Sequence, residues 1–119
     1  MNRIAVLSAV AAFTLSIATA FAADKAPSVA HGRALFMNSG CKNCHGTQGQ
    51  GSGSAPKLAP NPMPAESIAQ FIRGTKGRMP PYSAKVLSDG DVADIAAYLA
   101  SFPPAKSPDA IPALKDLKP

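Results

Sequence analysis

The sequence predicts an all-α protein built from three to four short helices. Apolar residues recur at helical spacing in three separate stretches, and nowhere do they alternate as a half-buried strand requires. Capping residues bracket those stretches: Ser28, Pro64 and Ser88 stand before them, and Gly40, Gly74 and Pro103-Pro104 after. The 119 residues suit one domain and contain no internal repeat.

Residues 1–22 are set apart from that domain. Arg3 supplies a positive start, Ile4 to Ile17 is an apolar run, and Ala18-Thr19-Ala20 or Ala20-Phe21-Ala22 fits a small-residue cleavage site. The run falls short of the about 20 apolar residues needed to span a bilayer. The expectation is a secretory signal peptide cut after Ala22, and no cysteine follows to carry a lipid. The mature chain would then have no membrane span and would work in the periplasm. Asp24 to Pro27 reads as a short leader. Ser28 is placed to cap a helix over residues 29–37, stopped by Asn38-Ser39-Gly40. Val29, Gly32 and Phe36 share one face of it. A glycine inside a helix costs about 1 kcal/mol relative to alanine, so Gly32 implies close approach of another backbone. His31 beside it reads as a solvent-facing histidine.

The next stretch, Cys41-Lys42-Asn43-Cys44-His45, carries the chemistry. C-x-x-C-H is the attachment signature of a c-type haem. Two thiols three positions apart can form thioethers with one porphyrin edge, and the adjoining imidazole can ligate the iron. Three other uses of the cysteines are weaker. A thioredoxin-like pair belongs in a βαβ setting, which is not found here. A structural zinc site needs four ligands, whereas the chain offers two cysteines and two histidines, with Cys44 and His45 adjacent. A disulfide across so short a loop would add little stability. One covalently bound haem c is therefore the expected cofactor. The composition agrees: with no tryptophan, five phenylalanines and two tyrosines, the chain has few large side chains for a core. A haem would supply the missing apolar bulk in so short a domain.

Gly46 to Met63 is rich in Gly, Ser and Pro and shows no period; a loop of that length needs a reason to be ordered, and wrapping a haem edge is one. Pro64 at a first helical position and Gly74 beyond the end bracket a short helix, with Ile68, Phe71 and Ile72 as its apolar face. The loop Thr75 to Lys85 contains Arg78-Met79-Pro80-Pro81-Tyr82. The two prolines stiffen the backbone after Met79 and forbid helix there. A thioether held so firmly suits a haem iron lacking its sixth ligand. Met63 is the rival, and Met37 on the first helix is a poor candidate.

Ser88 and Asp91 form a capping-box pattern, with aspartate in place of the usual glutamate, before the strongest helix. Asp89 and Asp91 suit the positive end of its dipole. Val92, Ile95, Ala96 and Leu99 make a full stripe, flanked by Tyr98 and Phe102. Residues 105–119, with prolines at 108, 112 and 119, read as an extended tail.

Taken together, these residues resemble a small bacterial class I cytochrome c over roughly residues 28–102. The matching pieces are Gly32-Arg-Ala-Leu-Phe36, Cys41-Lys-Asn-Cys-His45-Gly46, Ala55-Pro-Lys-Leu58, Met79-Pro-Pro-Tyr82 and the run from Leu87 to Leu99. The resemblance implies the class I fold over residues 23–104, its helices wrapped around one covalently bound haem. It implies that Cys41 and Cys44 form the thioethers and that His45 and Met79 are the axial iron ligands. It further implies that the Pro56 carbonyl accepts a hydrogen bond from His45 Nδ1 and that Leu58 packs on the ring. Gly32 and Phe36 would cross the last helix at Ile95 and Tyr98. Two features depart from the family's pattern. Phe36 stands five residues before Cys41, one more than is common, which implies a bulge or turn at Ser39-Gly40. With no tryptophan to meet a haem propionate, that contact must come from elsewhere, and Arg73, Arg78 and Tyr82 are the candidates.

A filled axial pair points to a single-electron carrier between periplasmic redox partners rather than to an enzyme. The alternative is a haem-bearing relay subunit of a periplasmic dehydrogenase or oxidase complex, and a third is a five-coordinate gas or peroxide site. The protein would be a monomer or a subunit of a hetero-complex. The formal net charge is +5. Between Gly40 and Leu87, Lys42, Lys57, Arg73, Lys76, Arg78 and Lys85 are opposed only by Glu66, which suits partners with an acidic face. The basic residues are dispersed, without the interleaved aromatics of a nucleic-acid site.

Overall fold

The computed structural model describes residues 25–117, and the expected signal peptide at residues 1–22 lies outside them. Four α-helices follow one another: α1 (Val29–Asn38), α2 (Cys41–His45), α3 (Ala65–Arg73) and α4 (Asp89–Ala100). Among the described residues there is no strand, only an isolated pairing of Ser52 with Ala55. The predicted all-α fold is the observed one. No helix among them is long and apolar enough to cross a membrane.

The frame is the crossing of α1 and α4. Ser28 caps α1 through its side chain, which accepts from the His31 N–H. Gly32 then lies directly on the backbone of Asp94 and Ile95, where any Cβ would overlap the Asp94 carbonyl. The missing side chain lets Phe36 reach Tyr98, ring centroids 5.7 Å apart, and Tyr98 meets Phe102 edge-on at 5.1 Å. Val92, Ile95, Tyr98 and Leu99 are all buried, so Tyr98 belongs to the core stripe itself rather than to its flank, while Ala96 is half-buried. The capping box on α4 forms as predicted: the Ser88 Oγ accepts from the Asp91 N–H, and the Asp91 carboxylate accepts from the Ser88 N–H.

His31 does not simply face solvent. Its Nδ1 lies 2.6 Å from Asp94 Oδ2, while the Ser28 N–H donates to Asp94 Oδ1 at 2.6 Å. Asp94 is thus a second cap on α1 delivered from α4. The His31 bond, then the Ser28 amide, holds its carboxyl below the usual aspartate range. The stabilisation it contributes is present above about pH 4 and is lost as the pH falls through the lowered native value.

Three further expectations change in detail. Pro64 is the cap of α3 rather than its first helical residue. Phe71 is 56% exposed, and the face of α3 turned to the core is Ala69 and Ile72, with Ile68 partly buried against it. Phe71 lies one residue, about 100° of helix, from Ile72, which carries it off the contact line. The tail is not extended: Pro108–Ala110 and Pro112–Leu117 are 3-10 turns, their prolines supplying the fixed φ that such turns accept.

Alanine is the better helix former, so Gly32→Ala on an open helix face would stabilise by about 1 kcal/mol. At this crossing the new Cβ meets a backbone carbonyl that cannot swing aside. The expected result is a loss of about 1–3 kcal/mol, measured by chemical denaturation of the haem-bearing protein. A stabilised variant would mean that the helices do not cross at Gly32.

Candidate haem site

The turn predicted at Ser39-Gly40 is present, and it releases the chain into α2, a single helical turn that is the C-x-x-C-H motif itself. Cys41 and Cys44 therefore sit on the same side of one turn, as residues three apart do. Both thiols are free; Cys44 is exposed, and burial, followed by the neighbouring Cys44, raises the Cys41 thiol above its usual range. Among the described residues no three of His, Cys, Asp and Glu come together as a metal site built from those groups requires.

His45, 7% exposed, is the buried polar residue of the core. Its Nδ1 lies 2.9 Å from the carbonyl oxygen of Pro56. A carbonyl can only accept, so Nδ1 carries the hydrogen, and in the neutral ring Nε2 then carries the lone pair. The loop from Gly46 to Leu58 is folded tightly enough to bring Pro56 back. The Gly51 N–H donates to the His45 carbonyl at 2.8 Å, and the Leu58 and Ala59 N–H groups both donate to the Gly49 carbonyl. The Ser52 hydroxyl donates to the Cys44 carbonyl at 2.7 Å. Gly51 needs its φ of 84° and the absence of a Cβ, which would press on the Lys57 backbone. Leu58 is half-buried against the core.

Met79 lies on the loop between α3 and α4 and is partly buried against the core, whereas Met63 is 50% exposed. Three ties hold the Met79 loop. The Tyr82 N–H donates to the Ile72 carbonyl at 2.8 Å, and the Tyr82 hydroxyl to the Ser39 carbonyl at 2.6 Å. Arg73 reaches across from the end of α3 to the Tyr82 and Leu87 carbonyls. Of the three residues named for a propionate contact, Arg73 and Tyr82 thus have these groups engaged within the protein, and Arg78 is exposed.

The donor set fits a haem c. Two unbonded thiols and an imidazole oriented by a carbonyl, with Nε2 making no hydrogen bond among the described residues, are the groups that attachment and ligation need. Met63, Phe71 and Val86 are each at least half exposed, as in a chain whose core is completed by a large apolar group. Thr75 Oγ1, at the start of the Met79 loop, is buried without a partner among the described residues. A buried hydroxyl in that state is destabilising until it finds an acceptor, and a haem bears two carboxylates.

The sequence profile of the family described as cytochrome c oxidase, cbb3-type, subunit III matches residues 27–99. The chain belongs to that family. Over 97 residues it is 35% identical to the cbb3-type cytochrome c oxidase subunit CcoP of Rubrivivax gelatinosus, covering 77% of this chain and 31% of that one. It thus spans about a third of the length of that curated relative. No solved structure matches. Membership in the cbb3-type subunit III family, with the motif at Cys41, Cys44 and His45, makes this a haem c protein of electron transfer. It also agrees with the class I cytochrome c resemblance carried by the same residues.

Sequence reasoning missed Asp94, Ser52 and the use made of Arg73. Each acts on a main-chain group distant in sequence, and no local spacing announces such a contact.

Proposed function

We propose that the chain is a periplasmic single-electron carrier whose haem iron is held by His45 and Met79. The observation that supports this best is the His45 Nδ1 bond to the Pro56 carbonyl, which presents Nε2 as a ligand and holds the ring still. The haem supplies the one-electron exchange between ferrous and ferric iron. The protein's own part is positional. Cys41 and Cys44 would anchor the ring covalently, His45 would ligate the iron, Leu58 would pack on the ring, and the loop stiffened by Pro80 and Pro81 would offer the Met79 thioether. A thioether rather than a second nitrogen donor raises the potential. With His45 and Met79 both holding the iron, no site would be left for a substrate, and the protein would carry electrons without catalysing chemistry of its own. Secretion by residues 1–22 would place it in the periplasm, where the domain of residues 23–104 does this work.

A second reading is favoured by the family. The Rubrivivax gelatinosus relative is named as an oxidase subunit, so the chain could be a fixed relay passing electrons within such a complex. Copurification with a larger redox subunit under mild conditions supports the relay; a haem protein eluting as a monomer supports the free carrier.

Met79→Ala should leave haem covalently attached but open the iron to water and small ligands. It should also abolish the weak far-red band of a methionine-ligated ferric haem. Met63→Ala should leave the spectrum nearly unchanged. If the two variants behave the other way round, the two loops exchange roles.

Lys57, Lys76, Arg78 and Lys85 are exposed, and Lys42 is half-buried. Arg73 is paired with Asp89 at 2.9 Å and adds less to the outward field. Steering by the remaining charges acts over a Debye length of about 8–10 Å at ordinary salt. Electron transfer to an acidic-faced partner should therefore slow steeply as ionic strength rises. Charge reversal at Lys57, Lys76 or Lys85 should slow it at low salt without altering the haem spectrum. A rate flat in salt would place docking on another face.

A further inference from the structure

The six-residue segment from Tyr82 to Leu87 is closed at both ends by one side chain. Arg73, the last residue of α3, donates from Nη1 to the Tyr82 carbonyl at 3.0 Å and from Nη2 to the Leu87 carbonyl at 2.7 Å. Nη2 also meets Asp89 Oδ1 at 2.9 Å, at the first residue of α4. The end of α3, the exit of the methionine loop and the start of α4 thus meet on one planar guanidinium. Its fork of donors can hold several oxygens in fixed directions, which an ammonium cannot do. The Arg73 side chain is 24% exposed, whereas Asp89 is 83% exposed, so the carbonyl contacts are the sheltered ones and the ion pair the weaker part.

Only Pro80 and Pro81 separate Met79 from Tyr82. Two residues with fixed φ transmit the placement of Tyr82 to Met79 with little slack. Tyr82 is held on its other sides by the Ile72 carbonyl and by Ser39, just before the cysteine motif. Arg73 therefore stands where that network ties the loop to the helix that follows it.

We propose that Arg73 is a positioning residue for Met79: it sets how firmly the thioether stays on the iron, and its charge is not chiefly a docking charge. The proposal rests on Met79 being the axial ligand. Without Arg73 the loop keeps its prolines and the Tyr82 bonds to Ile72 and Ser39 but loses the bridge between the Tyr82 and Leu87 carbonyls, and an external nitrogen ligand then competes with methionine on better terms.

The test is an imidazole titration of the ferric, haem-bearing protein, following loss of the far-red band, in the wild type, Arg73→Ala, Arg73→Lys, Lys76→Ala and Met79→Ala. Arg73→Ala should bind imidazole about tenfold more tightly or better, since one lost charge-assisted hydrogen bond is worth at least that in an equilibrium constant. Arg73→Lys keeps the charge and the stem; it should also bind more tightly than wild type, and it carries the test if the alanine variant fails to fold. Lys76→Ala removes a like charge three residues further on, from the Met79 loop itself, and should titrate as wild type. Wild-type imidazole affinity in Arg73→Lys, or an equal gain in Lys76→Ala, overturns the positioning role while leaving Met79 as ligand. A wild type without the band, or a Met79→Ala that retains it, removes the Met79 assignment and the proposal with it.

Discussion

The hydrogen bond between His45 Nδ1 and the Pro56 carbonyl is the contact on which the rest of the site depends. It fixes the tautomer of the neutral imidazole buried in the core, and it fixes the ring's direction. It can form only because a loop with no helix or strand is folded back on itself. The bonds into the His45 and Gly49 carbonyls perform that folding, and Gly51 reaches a backbone angle that other residues reach only with strain. A run of Gly, Ser and Pro that is ordinarily a sign of slack becomes a bracket for an imidazole.

The same economy appears in the helices. α1 and α4 approach at Gly32, where no side chain keeps them apart, and Asp94 completes the junction by accepting from the Ser28 amide and from His31. Their crossing holds Phe36, Tyr98 and Phe102 in one aromatic cluster. The Tyr98 hydroxyl donates to the Thr47 carbonyl, so the last helix also grips the loop directly behind the haem motif. The frame and the site are therefore mechanically joined.

The helices were legible because their signals are local: a capping serine, an apolar stripe at helical period, a glycine or proline at the end. The C-x-x-C-H motif was legible because five consecutive residues specify its chemistry. Gly32 could be read as a point of close approach, since a helix tolerates a central glycine only for a reason. What escaped were side-chain contacts to main-chain groups elsewhere in the chain that no motif announces. The sequence presents Arg73 as a basic charge or a propionate contact rather than as a tie between carbonyls, and Phe71 as a core residue, because periodicity gives a face but not its width. The 3-10 turns of the tail escaped because Pro-rich composition does not separate a tight turn from an extended chain.

The central claim is that His45 and Met79 close the iron at both axial positions and so confine the protein to passing electrons. Carbon monoxide tests this directly, because it binds ferrous haem wherever an axial position is open or loosely held. The dithionite-reduced protein at neutral pH should keep its visible spectrum unchanged under a carbon monoxide atmosphere. A spectrum that shifts to that of a carbonyl complex at near-stoichiometric gas would contradict the claim and identify an open site.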